Sequence, residues 1–283
     1  MPELPEVETI KLGLQKYLTG HKILEVEIKL PKIITGDTKN VTGAKITGIN
    51  RFGKGLVINL DNGYSIAVHI KLTGQLIFYD SHSGPVSADK VGTIPNKFTH
   101  VIFKLDNNAF LYYNDIRRFG WIKIIKTSDI KTLPFFKDLG PEPLPSSGQA
   151  PLTLKQFEDI LLKSSIAVKV LIMDQKRIGG IGNIYANDAL FLAGIDPRRK
   201  AKELSKSEAK KLYEAILHVL KNGLRYGGAS ELTFVNALGK EGGYQKHFLV
   251  YGKDGKPCSK DGTVIKKIFL GGRGTYFCEK HQK

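Results

Sequence analysis

The chain has 283 residues and carries 43 Lys and Arg against 27 Asp and Glu, a formal net charge of +16. This length allows one large domain or two ordinary ones, and the lack of a long apolar run in the sequence excludes a membrane-spanning helix. The acidic N-terminus is not a secretory signal, so we expect a cytoplasmic protein whose two cysteines stay reduced. The basic excess is typical of nucleic-acid binding, although a solvated basic surface without a specific partner has the same balance.

The first ten residues, MPELPEVETI, predict the start of a helix. Proline fits a first helical turn, and glutamates favour the positive end of the helix dipole. Apolar residues recur at helical spacing up to Gly20, a residue type that often ends helices: Val7, Ile10, Leu14 and Leu18. A helix start does not by itself account for Pro2, which becomes the amino terminus if Met1 is removed.

Residues 23–125 predict short strands rich in β-branched and aromatic residues. Turn sequences such as Asp61-Asn62-Gly63 separate them. The predicted strands are ILEVEIKL, LVINL, SIAVHIKL, QLIFYD, HVIFKL, AFLYY and GWIKII. Many short antiparallel strands indicate a β-sandwich or a flattened barrel.

The proline-rich segment 132–151 predicts a linker, which makes residues 1–131 a first domain with the N-terminal helix and the sandwich. Residues 152–226 predict helices, one of which begins at a capping box of Ser205 and Glu208. The Gly-rich residues 227–250 predict a loop that completes a second domain, 152–250, and residues 251–283 predict a β-hairpin tail. The fold class is therefore α+β.

The tail contains the pattern C-x2-D-x16-C-x2-H, formed by Cys258, Asp261, Cys278 and His281. Two pairs of ligand residues at opposite ends of a hairpin match a zinc ribbon, in which four ligands surround one ion. Aspartate is the least usual of these residue types in a structural zinc site. The alternative is a hairpin that has lost its metal and keeps two cysteines.

Two further motifs suit nucleic acid. KRIGGIGNIYANDALFLAGI (176–195) places glycines before a helix that begins near Asn183, and backbone N–H groups at such an end bind phosphate. NDIRRFGW (114–121) places a twin arginine and aromatics at the end of a strand, where Arg reaches a base or phosphate and Phe wedges between bases. Each motif alone has a plain alternative: tight packing for the glycines, and a surface cation pair beside a core Phe for the arginines.

Five blocks occur together and in order: PELPEVET, RFGKGL, NDIRRFG, GGIGNIYANDALF and GRGTYFC. In this combination the chain resembles the bacterial formamidopyrimidine-DNA glycosylase family over essentially its whole length. The resemblance implies a C-terminal helix-two-turn-helix domain, and a DNA glycosylase with AP lyase activity that removes 8-oxoguanine and formamidopyrimidines in base excision repair. It also implies a monomer that binds duplex DNA with oxidised bases or abasic sites, one structural zinc ion and no organic cofactor.

The resemblance implies four catalytic residues. Pro2 would attack the sugar C1′ with its amine, and an α-amino group, which titrates near ~8 rather than the ~10.4 of lysine, has a useful neutral fraction at pH 7. Glu3 would move protons as the sugar opens, with electrostatic support from Glu6. Lys54 would donate a proton and contact phosphate during β-elimination. Arg273 would hold the phosphate beside the lesion and assist δ-elimination.

The resemblance also implies residues that bind DNA around an extruded base. Arg117 would face the orphaned cytosine, Phe119 would be the wedge, and Leu72 stands where the family has a methionine. The other matching positions are His100, Lys163, Lys169, Asn183 and Tyr251. Residues 237–245 occupy the place of the loop that closes over the extruded base.

The chain departs from the family pattern in the tail and in one loop. The family tail has four cysteines, whereas Asp261 and His281 occupy the second and fourth positions here. Weak binding by Asp261 would lower zinc affinity, and without metal the hairpin must hold Arg273 in place by packing alone. Ile116 replaces the proline that usually precedes the twin arginine, which predicts a small loss of loop rigidity.

Two alternative functions stay open. One is an endonuclease VIII-like enzyme that prefers oxidised pyrimidines, against which PELPE in place of PEGPE argues. The other is a catalytically silent lesion-binding protein, against which the joint presence of Pro2, Glu3 and Lys54 argues. The outcome depends on Met1, because the nitrogen of Pro2 is an unreactive amide as long as Met1 is attached.

Overall fold

The computed structural model describes residues 1–80, 87–88, 90, 92–146 and 149–283. These residues form two compact units. The first unit comprises Met1–Lys137 and Leu224–Gln245, and the second comprises Asp138–Gly223 and Lys246–Lys283. Residues 224–245, predicted as part of the C-terminal domain, therefore group with the sandwich. Their attachment is specific, because the Phe78 N–H donates to the Ala237 carbonyl at 2.8 Å and both Phe234 and Ala237 belong to the sandwich core.

The first unit begins with a helix and continues mainly as strands. Its elements are α1 (Leu4–Tyr17), β1 (Ile23–Ile28), β2 (Ile34–Thr35), β3 (Ile46–Phe52), β4 (Gly55–Leu60), β5 (Tyr64–His69), β6 (Gly74–Tyr79), β7 (Ser87–Ala88), β8 (Gly92–Thr93), β9 (Thr99–Leu105), β10 (Phe110–Asp115), β11 (Trp121–Lys126) and α2 (Pro134–Lys137). Short 3-10 helices are interspersed at Pro31–Ile33, Thr38–Asn40 and Thr127–Thr132. The last of these and α2 lie in and beside the predicted linker, 132–151, of which residues 147 and 148 are outside the described part.

The strands form two main sheets that enclose one apolar core. One sheet has the order β1-β9-β10-β6 and the other the order β2-β11-β5-β4-β3. Neighbours are antiparallel except β2 and β11, which run parallel. The core combines residues of both sheets and of α1, among them Phe103, Leu111, Ile58, Ile66, Ile10 and Leu14. The predicted β-sandwich with an N-terminal helix is confirmed.

The second unit is helical and ends in a hairpin. Its helices and strands are α3 (Leu154–Leu162), α4 (Val168–Met173), α5 (Asn183–Ala193), α6 (Lys206–Arg225, whose last two residues lie in the first unit), β12 (Lys266–Leu270) and β13 (Arg273–Phe277). Short 3-10 helices occur at Ala201–Glu203 and at Tyr244–His247, whose first two residues lie in the first unit. The predicted capping box is present: the Ser205 N–H donates to Glu208 Oε2 at 2.8 Å, and the Glu208 N–H donates to Ser205 Oγ at 3.3 Å. The α+β class is confirmed, and none of the described helices is long and apolar enough to cross a bilayer.

Candidate active site

The N-terminal end of α1 holds Pro2, Glu3 and Glu6, all of them buried. Glu3 is the N-cap residue, and the Glu6 carboxylate accepts the Glu3 backbone N–H at 2.8 Å, which satisfies one of the unpaired donors of a helix start. Val7, Ile10 and Leu14 bury the other side of the helix in the sandwich core, and Leu4 is also buried. Met1 precedes Pro2 in the chain, so the Pro2 nitrogen is an amide in this form.

Glu6 also connects α1 to a distant Gly-rich loop. Its second oxygen accepts the Ala229 N–H at 2.7 Å. Gly228, at φ +84°, passes so close that a Cβ there would lie 3.0 Å from the Glu6 side chain. The sequence suggested only electrostatic support for Glu6. The glycine pairs 227–228 and 242–243 were the available signal for this close backbone approach.

Lys54 lies in the turn between β3 and β4 and is 3% exposed. Arg51, which is also buried, donates from Nε to Glu8 of α1 at 2.7 Å and from Nη1 to the Gly53 carbonyl at 2.9 Å. The guanidinium therefore joins α1 to the turn that carries Lys54. Sequence reasoning did not single out Arg51, because its partner lies 43 residues away along the chain.

Two loops of the first unit carry Leu72, Arg117 and Phe119. The Arg117 guanidinium lies 4.8 Å from the centre of the Phe119 ring, and Phe119 is 55% exposed. Leu72 is half-buried. An exposed aromatic ring under a cation fits contact with bases and phosphates.

Two histidines near these loops are buried. The His100 Nε2 lies 2.8 Å from the Asp115 carbonyl, and the side chain is only 3% exposed. His69 accepts the Lys71 N–H on Nδ1 at 3.0 Å. Burial, followed by the positive charges of Lys71 and Lys54, lowers the pKa of His69 to about 3. His69 is therefore neutral at physiological pH, a feature that the sequence did not indicate.

In the second unit, Arg273 is exposed at the start of β13, while Lys169 is fully buried. The Lys169 ammonium donates to Asn183 Oδ1 at 2.7 Å, to Thr275 Oγ1 at 2.7 Å and to the Gly274 carbonyl at 3.2 Å. The structure thus brings Lys169 to Asn183 and to the strand that bears Arg273. The direct DNA contact expected for Lys169 has no exposed group to make it, because the cation is used inside the protein.

Lys163 and Tyr251 are the other expected DNA-binding residues of this unit. Lys163 is exposed and caps the C-terminal end of α3. Tyr251 is half-buried, and its ring centre lies 5.1 Å from that of Tyr276. Its backbone N–H donates to Asp188 Oδ1 at 3.1 Å. Of the two lysines, only Lys163 presents its side chain at the surface.

Three of the four expected metal ligands converge in the tail. One ligand atom each from Cys258, Asp261 and Cys278 lies within 4.8 Å of the others. The Lys260 N–H donates to Cys258 Sγ at 3.4 Å, and Cys278 Sγ lies 3.4 Å from Asp261 Oδ2. The pKa of Asp261 is lowered, chiefly by the hydrogen bond from the Thr263 N–H. The pKa of Cys278 is raised, chiefly by burial. Two sulfurs and a carboxylate are a donor set that zinc accepts.

His281, the fourth expected ligand, does not join this group. Its Nε2 lies 2.8 Å from the Phe191 carbonyl, and its ring packs against Phe191 at 5.0 Å. The next residue, Gln282, is buried and anchors the tail instead: its Oε1 accepts the Cys278 N–H and its Nε2 donates to the Ile195 carbonyl, both at 2.9 Å. The sequence did not indicate this role for Gln282.

Comparisons with known proteins agree along the whole chain. The family model of the formamidopyrimidine-DNA glycosylase N-terminal domain matches residues 1–122, and that of the corresponding H2TH domain matches residues 139–235. The formamidopyrimidine-DNA glycosylase of Pelotomaculum thermopropionicum is 38% identical over 100% of this chain and 99% of its own. Two solved complexes of Lactococcus lactis Fpg are similar in fold. The one with abasic-site DNA is 33% identical, covers 99% of both chains and has a TM-score of 0.87. The one with Fapy-dG DNA is 32% identical, covers 99% of this chain and 100% of its own, and has a TM-score of 0.86.

Proposed function

The chain belongs to the formamidopyrimidine-DNA glycosylase family of base excision repair, and from that membership we propose that it is a bifunctional glycosylase and AP lyase that removes oxidised purines from duplex DNA. The observation that carries the proposal is Pro2, directly behind Met1 and beside the buried Glu3 at the start of α1. The Lactococcus lactis complexes with abasic-site and Fapy-dG DNA support the substrate class. In this role the protein would act as a monomer in the cytoplasm.

The first chemical step is proposed for the Pro2 amine, once Met1 is removed. Its lone pair bonds to C1′ of the damaged nucleotide, and the glycosidic bond breaks. The base leaves with the two electrons of the glycosidic bond and takes up a proton, while the Pro2 nitrogen loses its own proton. Ring opening then gives an iminium that links the protein to DNA, with Glu3 moving protons at the sugar. Glu3 is buried, and burial limits the motion of a side chain, which supports this role in proton transfer.

Lys54 and Arg273 are proposed for the strand cleavage that follows. Loss of a C2′ proton from the iminium lets the bond to the 3′ phosphate break, and Lys54 would donate a proton and contact phosphate in this β-elimination. Arg273 would bind the phosphate beside the lesion and assist δ-elimination. Its exposure at the start of β13 suits a phosphate contact.

The damaged base must leave the helix to be reached, which costs a few kcal/mol. Leu72, Arg117 and Phe119 would fill the space that it leaves, with Arg117 facing the orphaned cytosine. The exposure of Phe119 and the position of Arg117 over its ring support this role. Lys163, Asn183 and Tyr251 would contact the backbone, while His100 and Lys169 would act through the residues that they bind.

We propose that the tail holds one zinc ion on Cys258, Asp261 and Cys278. When bound, this ion would contribute a structural cross-link to the hairpin. The protein's own part is to hold the two thiols and the carboxylate together and to keep β13 on α5. A metal assay on protein purified without chelators tests this, and less than about half an equivalent of zinc would contradict it.

Borohydride trapping tests the enzyme proposal. The protein is incubated with an 8-oxoguanine:cytosine duplex, reduced, and run on a denaturing gel, and intact mass shows whether Met1 is absent. We expect a covalent adduct with the lesion duplex, none with the undamaged duplex, and none from an extended chain in which Pro2 stays an amide. Lesion binding without an adduct in the Met1-free protein would favour the silent lesion-binding alternative. Faster reaction with oxidised pyrimidines would favour the endonuclease VIII-like one.

A further inference from the structure

The two loops that carry Leu72, Arg117 and Phe119 share one buried carboxylate, that of Asp115. Leu72 lies between β5 and β6, and the other two residues lie between β10 and β11. Asp115 is the last residue of β10 and has no exposed surface. The mechanism proposed above does not use it.

The hydrogen bonds of Asp115 reach both loops. The Thr73 hydroxyl donates to Asp115 Oδ1 at 2.5 Å, and the Gly120 N–H donates to Oδ2 at 2.8 Å. The Arg117 N–H donates to Thr73 Oγ1 at 2.9 Å and lies 3.2 Å from Asp115 Oδ1. Thr73 is therefore the link between the loop of Leu72 and the backbone of Arg117.

Both loops have conformations that need support. Lys71 (φ +48°) and Arg118 (φ +59°) occupy the left-handed region, which non-glycine residues rarely adopt. Gly120 leaves no room for a Cβ, because Tyr113, the His69 carbonyl and Asp115 surround it. Such conformations persist only where surrounding contacts hold them. Asp115 and Thr73 bind the residues on both sides of Arg118, and Thr73 lies two residues after Lys71, whose N–H is held by His69.

We infer that Asp115 and Thr73 are a pair of positioning residues that couple the two loops, so that Leu72 and the Arg117–Phe119 pair enter DNA together. A carboxylate offers two acceptor oxygens, here one for each loop, whereas an amide or a hydroxyl offers only one. Loss of the link would let each loop move separately. Base extrusion and the reading of the opposite base would then weaken, while chemistry at an already exposed sugar would not. The inference rests on the proposed function.

Replacement of Thr73 by Val tests the link, because it keeps the shape and removes the hydroxyl. Single-turnover rates are measured on 8-oxoguanine opposite cytosine, on 8-oxoguanine opposite adenine, and on a preformed abasic site, which needs no base extrusion. We expect the rate on 8-oxoguanine:cytosine to fall about tenfold, the effect of about one hydrogen bond, with the abasic-site rate within about twofold of the original. The preference for cytosine over adenine should also fall.

Two further variants separate positioning from folding. Thr73→Ser keeps the hydroxyl and should retain the original rate on 8-oxoguanine:cytosine and the original preference for cytosine. Asp115→Asn, checked for folding by thermal unfolding, should reproduce the selective loss. An equal loss of rate on 8-oxoguanine:cytosine and on the abasic site, or no loss on either, would overturn the coupling. Wild-type protein inactive on both substrates would overturn the proposed function itself, and the inference with it, before any variant is compared.

Discussion

The start of α1 and the C-terminal hairpin both carry residues proposed for chemistry, but their construction differs. At the start of α1, a single carboxylate makes two structural hydrogen bonds: Glu6 accepts the N–H groups of Glu3 and Ala229. In the second unit, β13 is held by several independent side chains. Lys169 bonds Gly274 and Thr275, Asn187 accepts the Tyr276 N–H at 2.8 Å, and Gln282 accepts the Cys278 N–H just beyond the strand.

This difference separates two kinds of sensitivity to substitution. A group that exchanges a proton with the substrate has no substitute, so a change of one atom should abolish its contribution. A strand held by several hydrogen bonds keeps its position when one of them is lost. We therefore expect changes at the start of α1 to reduce rates, and changes in the hairpin to reduce stability in proportion to the bonds removed.

The largest effect is expected from Glu3→Gln. The amide keeps the shape of the side chain and cannot exchange protons, so we expect the single-turnover excision rate to fall about 10²- to 10⁴-fold, the usual contribution of a general acid or base. DNA binding and the melting temperature should change little. Glu231→Gln, at an exposed position of the same unit, is the matched control. An excision rate within about threefold of the original would contradict the role of Glu3.

The next effect is on stability and compares two lysines of the second unit. Lys169→Met removes the donors to Asn183, Thr275 and Gly274. Asn183 Oδ1 and the Gly274 carbonyl keep amide donors from Asn187 and Asn183, so Thr275 Oγ1 is the buried acceptor that loses its donor, at a cost of about 1–3 kcal/mol. We expect the free energy of unfolding to fall by about 1–3 kcal/mol in urea titrations. Lys163→Met should leave stability unchanged and weaken DNA binding in a salt-dependent manner. Equal stability of the two variants would contradict the structural role of Lys169.

The sequence could predict those elements whose contacts are close together along the chain. Local patterns were sufficient for the start of α6, where Ser205 and Glu208 cap each other, and for the helix at Asn183. The strand β3, ITGINRF, was missed because Gly48 and polar residues interrupt its alternation at a sheet edge that carries a bulge. Within each motif that carries the family resemblance, the residues are adjacent along the chain, and each motif was visible for that reason.

The residues that support those motifs could not be found in the same way. The buried cations Arg51 and Lys169 and the tail anchor Gln282 each bind at least one partner far away in sequence. No local pattern separates them from surface residues of the same type. The pattern of the tail also predicted four ligands, because spacing reports backbone positions and not side-chain directions. His281 has the right spacing, but its ring binds the Phe191 carbonyl.

The pH dependence of stability should distinguish the two units. The pKa of His69 is about 3 in the folded protein, and its ordinary value is 6.5. Below pH 6.5, His69 therefore binds a proton in the unfolded chain but not in the folded one. Stability is lost as the pH falls from 6.5, by up to about 1.4 kcal/mol per pH unit. In the second unit, Glu208 beside Arg199 has a pKa of about 2, below its ordinary value of 4.5. The stability that this carboxylate contributes is therefore fully present above pH 4.5 and is lost as the pH falls from 4.5 towards 2.

Trp121, the single tryptophan of the chain, lies beside His69 with ring centres 5.8 Å apart and reports on the first unit. In urea titrations followed by its fluorescence, the urea concentration at the unfolding midpoint should decrease as the pH is lowered from 6.5 to 5. His69→Asn keeps an acceptor for the Lys71 N–H and should flatten that fall, whereas His218→Asn, at an exposed position of α6, should not. A fall of the same slope in His69→Asn would mean that another group is responsible.

The smallest effect is expected from His281→Ala on metal affinity. With its Nε2 at the Phe191 carbonyl, the ring is held away from Cys258, Asp261 and Cys278, so zinc affinity measured against a chromophoric chelator should change less than about threefold. Asp261→Asn removes a charged ligand atom and should weaken binding by at least about tenfold. If the two variants weakened zinc binding equally, His281 would be a fourth ligand of the metal. The metal affinity of the hairpin would then depend on each single ligand atom, as the reaction rate depends on single groups at the start of α1. Unequal effects would mean that the tail binds metal through Cys258, Asp261 and Cys278 beside a hairpin whose strand β13 is already held by protein contacts.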